Sequence, residues 1–211
     1  MSHLLVIGAS SGIGLETVKL GLERGHRVRA FARTASGIDL EHPQLEKFDG
    51  DALEADSVRS ALGDVDAVVQ TLGVKLGPGT VLGGTELFSE ATRVLIPAMK
   101  AQGIKRLVVV TGYGAGDSGD TMHPVNRLGF NAVFARIYAD KSKQEAMIKA
   151  SDLDWTIARP VVLTGGRCGD YKVRAEPSDW GMGMISRASV ADFLVSEVEN
   201  PQFVRQAPVL N

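Results

Sequence analysis

The chain has 211 residues, 44% hydrophobic and 23% charged, with a formal net charge of -2. That length suits one α/β domain with a substantial core, and the balanced charge excludes a polyelectrolyte surface for nucleic acid or membranes, leaving a small molecule as the expected partner. The single cysteine, Cys168, excludes an internal disulfide and a cysteine metal cluster, and the apolar start is too short for a signal peptide or membrane span, so a cytoplasmic location is expected.

In chain order, the run Leu4-Leu5-Val6-Ile7 predicts a buried strand over 4–8, followed by an amphipathic helix over 12–24 that Gly25 closes. Between them the turn GASSGIG carries Gly8, Gly12 and Gly14. Strand, glycine-rich turn and helix in direct succession is the setting of a dinucleotide-binding site. The first glycine allows the tight turn, the second the approach of a pyrophosphate, and the third close helix–strand packing. Amides at the helix start, Ile13 included, and the positive end of the helix dipole favour an anion, with Ser10 and Ser11 as hydroxyl donors. A turn with packing duties alone is the alternative.

The second strand, predicted over 27–32, ends at Arg33, nineteen residues after Gly14. An acid at this point binds a ribose 2′-hydroxyl, whereas arginine suits a 2′-phosphate. Thr34 and Ser36 add hydroxyls, and no carboxylate follows in the segment before Asp39. NADP(H) is therefore expected in preference to NAD(H), an ordinary solvated arginine being the other reading.

Further elements follow as a strand over 45–50, a helix over 55–62, a strand over 67–72 and a helix over 85–102. Gly103 ends that helix, and Pro97 inside it should bend it or leave one carbonyl unpaired. A strand over 106–111, a helix over 130–150, a strand over 155–159 and a helix over 189–198 complete the pattern, which is that of a three-layer, doubly wound parallel sheet, a Rossmann fold in a single domain over 1–211. Segments 112–128 and 164–185 lack periodicity and follow strand ends on the carboxyl edge, where such folds bind ligands. They are expected to wall the substrate pocket, with Met122, His123, Phe130 and Phe134 on one side and Tyr171, Trp180, Met182 and Met184 on the other, unless these are core filler. Arg127, Arg136, Arg167, Lys172 and Arg174 could pair with acceptor anions, and His123 could donate a proton; solvated loop charges are the plainer reading. The four histidines show no metal-ligand spacing, so no metal is expected.

GASSGIG, GDAL at 50–53 and QTLG at 70–73 resemble the short-chain dehydrogenase/reductase superfamily. The stretch KQEAMIKASDLDWTIARP, 143–160, resembles its atypical NAD(P)H-binding branch, which includes biliverdin reductase B (flavin reductase) and NmrA-like proteins. The resemblance implies that Asp51 with Ala52 reaches the adenine, that Thr71, Leu72 and Gly73 lie along the adenosine, and that Pro160, Val161 and Val162 meet the nicotinamide. A turn acid or N-cap is the other reading of Asp51, a plain strand end that of Thr71 to Gly73.

Better-known members carry a proton-donating tyrosine four residues before a lysine; here Tyr138 stands three before Lys141. Three residues share a helix face, so the two could meet; alternatively Lys141 forms a surface ion pair with Glu145. Gly112 replaces a serine of the branch, so hydroxyl chemistry is expected from Thr111 or Tyr113, with Lys141 beside the nicotinamide ribose. An intact dinucleotide turn with a broken acid motif suggests an NADPH-dependent reductase of a conjugated planar acceptor, such as a flavin, quinone or linear tetrapyrrole. A non-catalytic NmrA-like redox sensor with a protein partner is the alternative, and a nucleotide-sugar epimerase or dehydratase a third. The chain is expected as a monomer or homodimer.

Overall fold

The computed structural model describes residues 1–75, 77, 79, 83–121 and 124–211, those at 124–133 as backbone alone. β1 (His3–Ile7) is buried along its whole length and pairs in parallel with β2 (Arg27–Ala32) and β4 (Ala67–Gln70). β3 (Leu45–Asp49), β5 (Arg106–Val110), β6 (Asp154–Pro160), β8 (Val173–Arg174) and β10 (Val209–Leu210) complete an eight-stranded sheet of order β3-β2-β1-β4-β5-β6-β10-β8. The order reverses between β1 and β4, which opens a crevice at their carboxyl ends.

Alternate residues of each strand face opposite layers. On one face Val6, Val108 and Val110 pack with α1 (Gly12–Glu23) and α5 (Arg187–Glu199) through Val18, Leu22, Val190 and Leu194. On the other, Leu5, Ile7, Leu107 and Val109 meet α2 (Ala55–Ala61), α3 (Leu87–Ala101) and α4 (Pro124–Lys149) through Val58, Leu95, Met99 and Ile148. Fully buried parallel strands read as unbroken apolar runs, so the sequence signal was strong here. Gly25 and Gly103 each follow a helix C-cap, with His26 N–H donating to Gly21 O (2.9 Å) and Ile104 N–H to Met99 O (3.0 Å).

The sheet is not wholly parallel: β8 runs antiparallel to β10 at its edge. Segment 164–185 holds β8, and β7 (Val162–Thr164) pairs with β9 (Met184–Ser186) as a separate small ribbon. Segment 112–128 is only partly irregular, since Gly116–Thr121 forms a 3-10 turn and α4 starts at Pro124, a residue suited to the first helical position. α3 runs on through Pro97, which sits on an exposed face where water can satisfy the carbonyl that proline leaves unpaired. No described helix is long and apolar enough to cross a membrane.

α4 packs on the sheet through a polar stripe. Asp140, 2% exposed, accepts from the Phe88 and Ser89 amides (2.9 and 3.4 Å) and from the Ser89 hydroxyl, capping α3 from a neighbouring helix. Gln144 donates to Gln70 Oε1 and to Thr92 Oγ1, both at 3.1 Å. Glu145, 1% exposed, meets the fully buried Arg159 at the end of β6 in a two-pronged pair, Nε to Oε1 at 3.0 Å and a terminal nitrogen to Oε2 at 2.5 Å. The alternative reading of Lys141, a surface pair with Glu145, gives way to a buried pair between Glu145 and Arg159, because the face carrying Glu145 turns to the sheet and not to water. Asp117 adds a second carboxylate 2.5 Å from Arg159 and is itself held by Lys149 at 2.9 Å. Burial works against ionising Asp117, but the bonds from Arg159 and Lys149 outweigh it and bring its carboxyl down to about 2. Removing one partner of a buried ion pair strands the other, so Glu145→Ala is expected to cost about 3–5 kcal/mol in denaturant unfolding. The double variant Glu145→Leu/Arg159→Met should recover much of that loss, whereas additive losses would show that the pair is not the cause.

Candidate functional site

At the first turn the glycines divide their work by geometry. Gly8 has φ +88°, and a Cβ there would lie 2.8 Å from the Thr71 carbonyl oxygen; one on Gly14 would fall 2.1 Å from Gly8 O. A Cβ on Gly12, with φ +59°, would point into open space, beyond its own turn meeting nothing within 4 Å. Gly8 and Gly14 therefore admit no side chain, and Gly12 leaves its backbone bare. Ser11 holds the N-cap of α1 in extended conformation, yet no side chain caps the helix and its first turn carries no acid. Ser10 and Ser11 are exposed. Uncapped amides at Gly12, Ile13 and Gly14, together with the uncompensated helix dipole, fit a pyrophosphate.

Arg33 and Thr34 leave the end of β2 exposed, and among the described residues Arg33 makes no ion pair. The Ser36 hydroxyl, expected beside them, is already committed: its Oγ and its amide each donate to Asp49 at 2.7 Å, and these bonds lower the carboxyl's pKa. Asp49 is thus a carboxylate near this corner that the local sequence did not show, since it arrives from β3 through the Ala32–Asp49 register. Asp51 accepts from the Leu53 amide at 2.9 Å, closing its own turn with one oxygen, while Ala52 packs into the core. Thr71 turns inward and donates to Ile7 O at 2.9 Å, so only its backbone, with half-buried Leu72 and exposed Gly73, lines the crevice.

At the other end, beyond β5, the hydroxyls expected to serve as acid groups are engaged. Thr111, 2% exposed, donates to Glu145 Oε1 at 2.7 Å, and Tyr113, 4% exposed, shares a 3.3 Å bond with Thr121. Tyr138 takes the place the sequence left vacant at Gly112. A Cβ built on Gly112 would fall 2.5 Å from the Tyr138 hydroxyl oxygen, so the phenol lies where a side chain at 112 would begin. Lys141 donates to the Thr111 carbonyl and sits 5.2 Å from the Tyr138 ring centre and 5.0 Å from that of Phe88. Burial pushes Tyr138 up to about 12 and brings Lys141 down to about 8, the latter opposed by the charge of Glu145. The tyrosine and lysine do meet, on one face of α4 and against the end of β5. The pairing signal was Tyr-x-x-Lys on a helix; the missing side chain at residue 112 was the signal that a hydroxyl could enter from elsewhere.

Val161 closes the β6 end with 8% exposure and donates its amide to Leu210 O, after which Val162 is half exposed on β7. Of the expected pocket walls, Met122 lies outside the described residues, as does His123, and the side chains of Arg127 and Phe130 are not described. Phe134 packs edge-on to Tyr138 at 6.2 Å. Trp180 stacks 5.0 Å from Arg159, and the Tyr171 hydroxyl donates to Asp192 at 2.7 Å. Met182 and Met184 are exposed, Arg136 and Arg167 likewise.

A family model described as NAD(P)H-binding matches residues 8–201. YwnB of Bacillus subtilis, itself uncharacterised, is 28% identical over 206 residues, 93% of this chain and 92% of its own. The solved structure of ChuY from Escherichia coli, an anaerobilin reductase, superposes with TM-score 0.79 and 26% identity over 99% of this chain and 96% of its own. A short-chain dehydrogenase/reductase from Veillonella parvula in complex with NADP superposes with TM-score 0.82, at 14% identity, over 100% of this chain and 94% of that one. That last likeness concerns the fold.

Gly112→Ala puts a methyl group against the Tyr138 hydroxyl and is expected to destabilise the fold by about 1–3 kcal/mol, read from urea unfolding. Tyr138→Phe in the same chain should relieve part of the loss; full additivity would mean the phenol does not occupy this space.

Proposed function

The chain belongs to the NAD(P)H-binding family, and on that premise we propose that it is an NADPH-dependent reductase of a conjugated planar acceptor, a flavin, quinone or linear tetrapyrrole. The observation that carries the reading is the juxtaposition, along one carboxyl edge, of an uncapped phosphate-binding turn and the Tyr138–Lys141 pair at Gly112. The dinucleotide, when bound, supplies the hydride. The protein's part is to hold it and to place a proton.

Gly12 and the first turn of α1 would take the pyrophosphate, with Ser10 and Ser11 adding donors. Arg33, with no carboxylate partner among the described residues, suits a 2′-phosphate, and Thr34 stands beside it. Asp51, Ala52, Leu72 and Gly73 are the proposed adenosine side, and Pro160, Val161 and Val162 the proposed nicotinamide side. Tyr138, its phenol kept protonated by burial, is a donor and not a base at neutral pH. Lys141, charged below about pH 8, adds positive potential beside that phenol. Acceptors that already delocalise charge need only a weak donor, which fits this pair better than an unactivated ketone would. The fold relation to an anaerobilin reductase supports a reductase without naming this chain's acceptor.

Equilibrium titration should give tighter binding of NADPH than of NADH, and Arg33→Ala should weaken NADPH by about ten- to a hundredfold, the worth of charge-assisted phosphate bonds, while leaving NADH nearly unchanged. Equal affinities would remove the cofactor preference. With FMN, a quinone and biliverdin as acceptors, NADPH oxidation is expected for at least one; tight binding of both redox forms without turnover would mark a sensor. Turnover should decline as pH rises through about 8, where Lys141 releases its proton, and Lys141→Met should abolish that limb. A limb that survives the substitution would assign the titration to another group.

A further inference from the structure

We propose that the pocket formed by residues 170–172, Arg174, Met182, Gly183 and Asn211, at β8 and the end of β10, binds an anionic substituent of the acceptor, a carboxylate or phosphate, through Lys172 and Arg174. This rests on the reductase reading and concerns what the acceptor must carry. The pocket measures about 380 Å³ and is lined by both cations together with Met182, Gly183 and Asn211. Arg174 lies on β8 and Lys172 just before it, where its backbone extends the pairing to Asn211, so the two, two residues apart, share a face. Neither has a carboxylate partner among the described residues, and Asp170 also reaches the lining.

Both cations are placed by Asn211. The Lys172 amide donates to Asn211 O at 2.6 Å and its carbonyl accepts from the Asn211 amide at 3.1 Å. Arg174 Nε donates to Asn211 Oδ1 at 3.0 Å, which steadies the guanidinium and leaves its two terminal nitrogens for a ligand. That is the fork that pairs with carboxylate or phosphate.

The position joins this pocket to the proposed nicotinamide end. A Cβ on Gly183 would lie 3.1 Å from Asn211 Cβ and 3.7 Å from Val161 Cγ2, so the pocket floor is the back of the β6 terminus. Beside it Val162 pairs in register with Met184, and with Met182 these are the exposed large apolar side chains of this edge, at 52%, 73% and 49% exposure. A flexible apolar strip next to two cations that form no ion pair among the described residues suits a flat conjugated body with an anionic arm.

The test is calorimetric titration of the full chain, with and without saturating NADP+, using two matched pairs: FMN against riboflavin, and biliverdin against its dimethyl ester. In each pair only the anion differs. At least one anionic member should bind about tenfold tighter than its neutral partner, the worth of one charge-assisted contact. The gap should collapse in Lys172→Glu and in Arg174→Gln with NADP+ affinity unchanged. A gap in the flavin pair alone names phosphate as the source, and one in the tetrapyrrole pair alone names carboxylate. No gap in either pair, or a gap that survives both substitutions, overturns the proposal. Because binding is read without turnover, an anion gap with no NADPH oxidation would overturn the reductase reading and keep the pocket. NADPH oxidation indifferent to acceptor charge would do the reverse.

Discussion

A carboxylate and a guanidinium with almost no exposed surface are tolerable inside a protein only where they meet and where their remaining hydrogen-bonding capacity is used. Glu145 and Arg159 satisfy that condition, and doing so fixes where α4 lies on the sheet. The same carboxylate takes the Thr111 hydroxyl from the end of β5, so three elements, β5, β6 and α4, are tied at one point. Gly116 accommodates the arrangement by having no side chain: a Cβ there would sit 2.4 Å from Glu145 Oε2.

The rest of the Tyr138–Lys141 end of the crevice depends on that anchor. Counting back along α4 from Glu145, Lys141 is one turn away and Tyr138 two, all on one face. Once Glu145 is drawn onto Arg159, Lys141 must come down at the Thr111 carbonyl and Tyr138 at Gly112. Asp140, on the flank of the same stripe, is drawn to the start of α3, whose own N-cap residue Glu86 supplies no side-chain bond to the free amides. A helix whose inner face is this polar would not be held by apolar burial alone. Directed bonds supply its register.

That is also why the sequence was readable at one end of the crevice and not at the other. Leu4 to Gly14 combine an unbroken apolar strand with glycines at spacings dictated by local sterics, and neither feature depends on distant residues. The stripe Tyr138, Lys141, Gln144, Glu145 has the look of a solvated face, because charged residues at helical spacing usually are one; only the partner on β6, fourteen residues beyond Glu145, reveals it as buried. Asp49 was hidden for a similar reason, being brought to the end of β2 by parallel pairing with a neighbouring strand. The strands β7 to β10 hold two or three residues apiece, too few for any periodicity to register.

The two ends of the crevice therefore answer to different constraints. At the glycine-rich turn the requirement is empty space: Gly14 packs so tightly on Gly8 that no other residue type fits, and the motif is rigid in sequence because the geometry is rigid in space. At Gly112 the requirement is a polar group over the end of β5, and the group can arrive from either side. A serine on the strand and a tyrosine hydroxyl from α4 compete for the same few ångströms, so a chain that has the phenol there must lack the side chain at residue 112. The absence of a motif residue and the presence of Tyr138 are then one fact about packing, and a search for the residue instead of the space it would fill misses the group that stands in it.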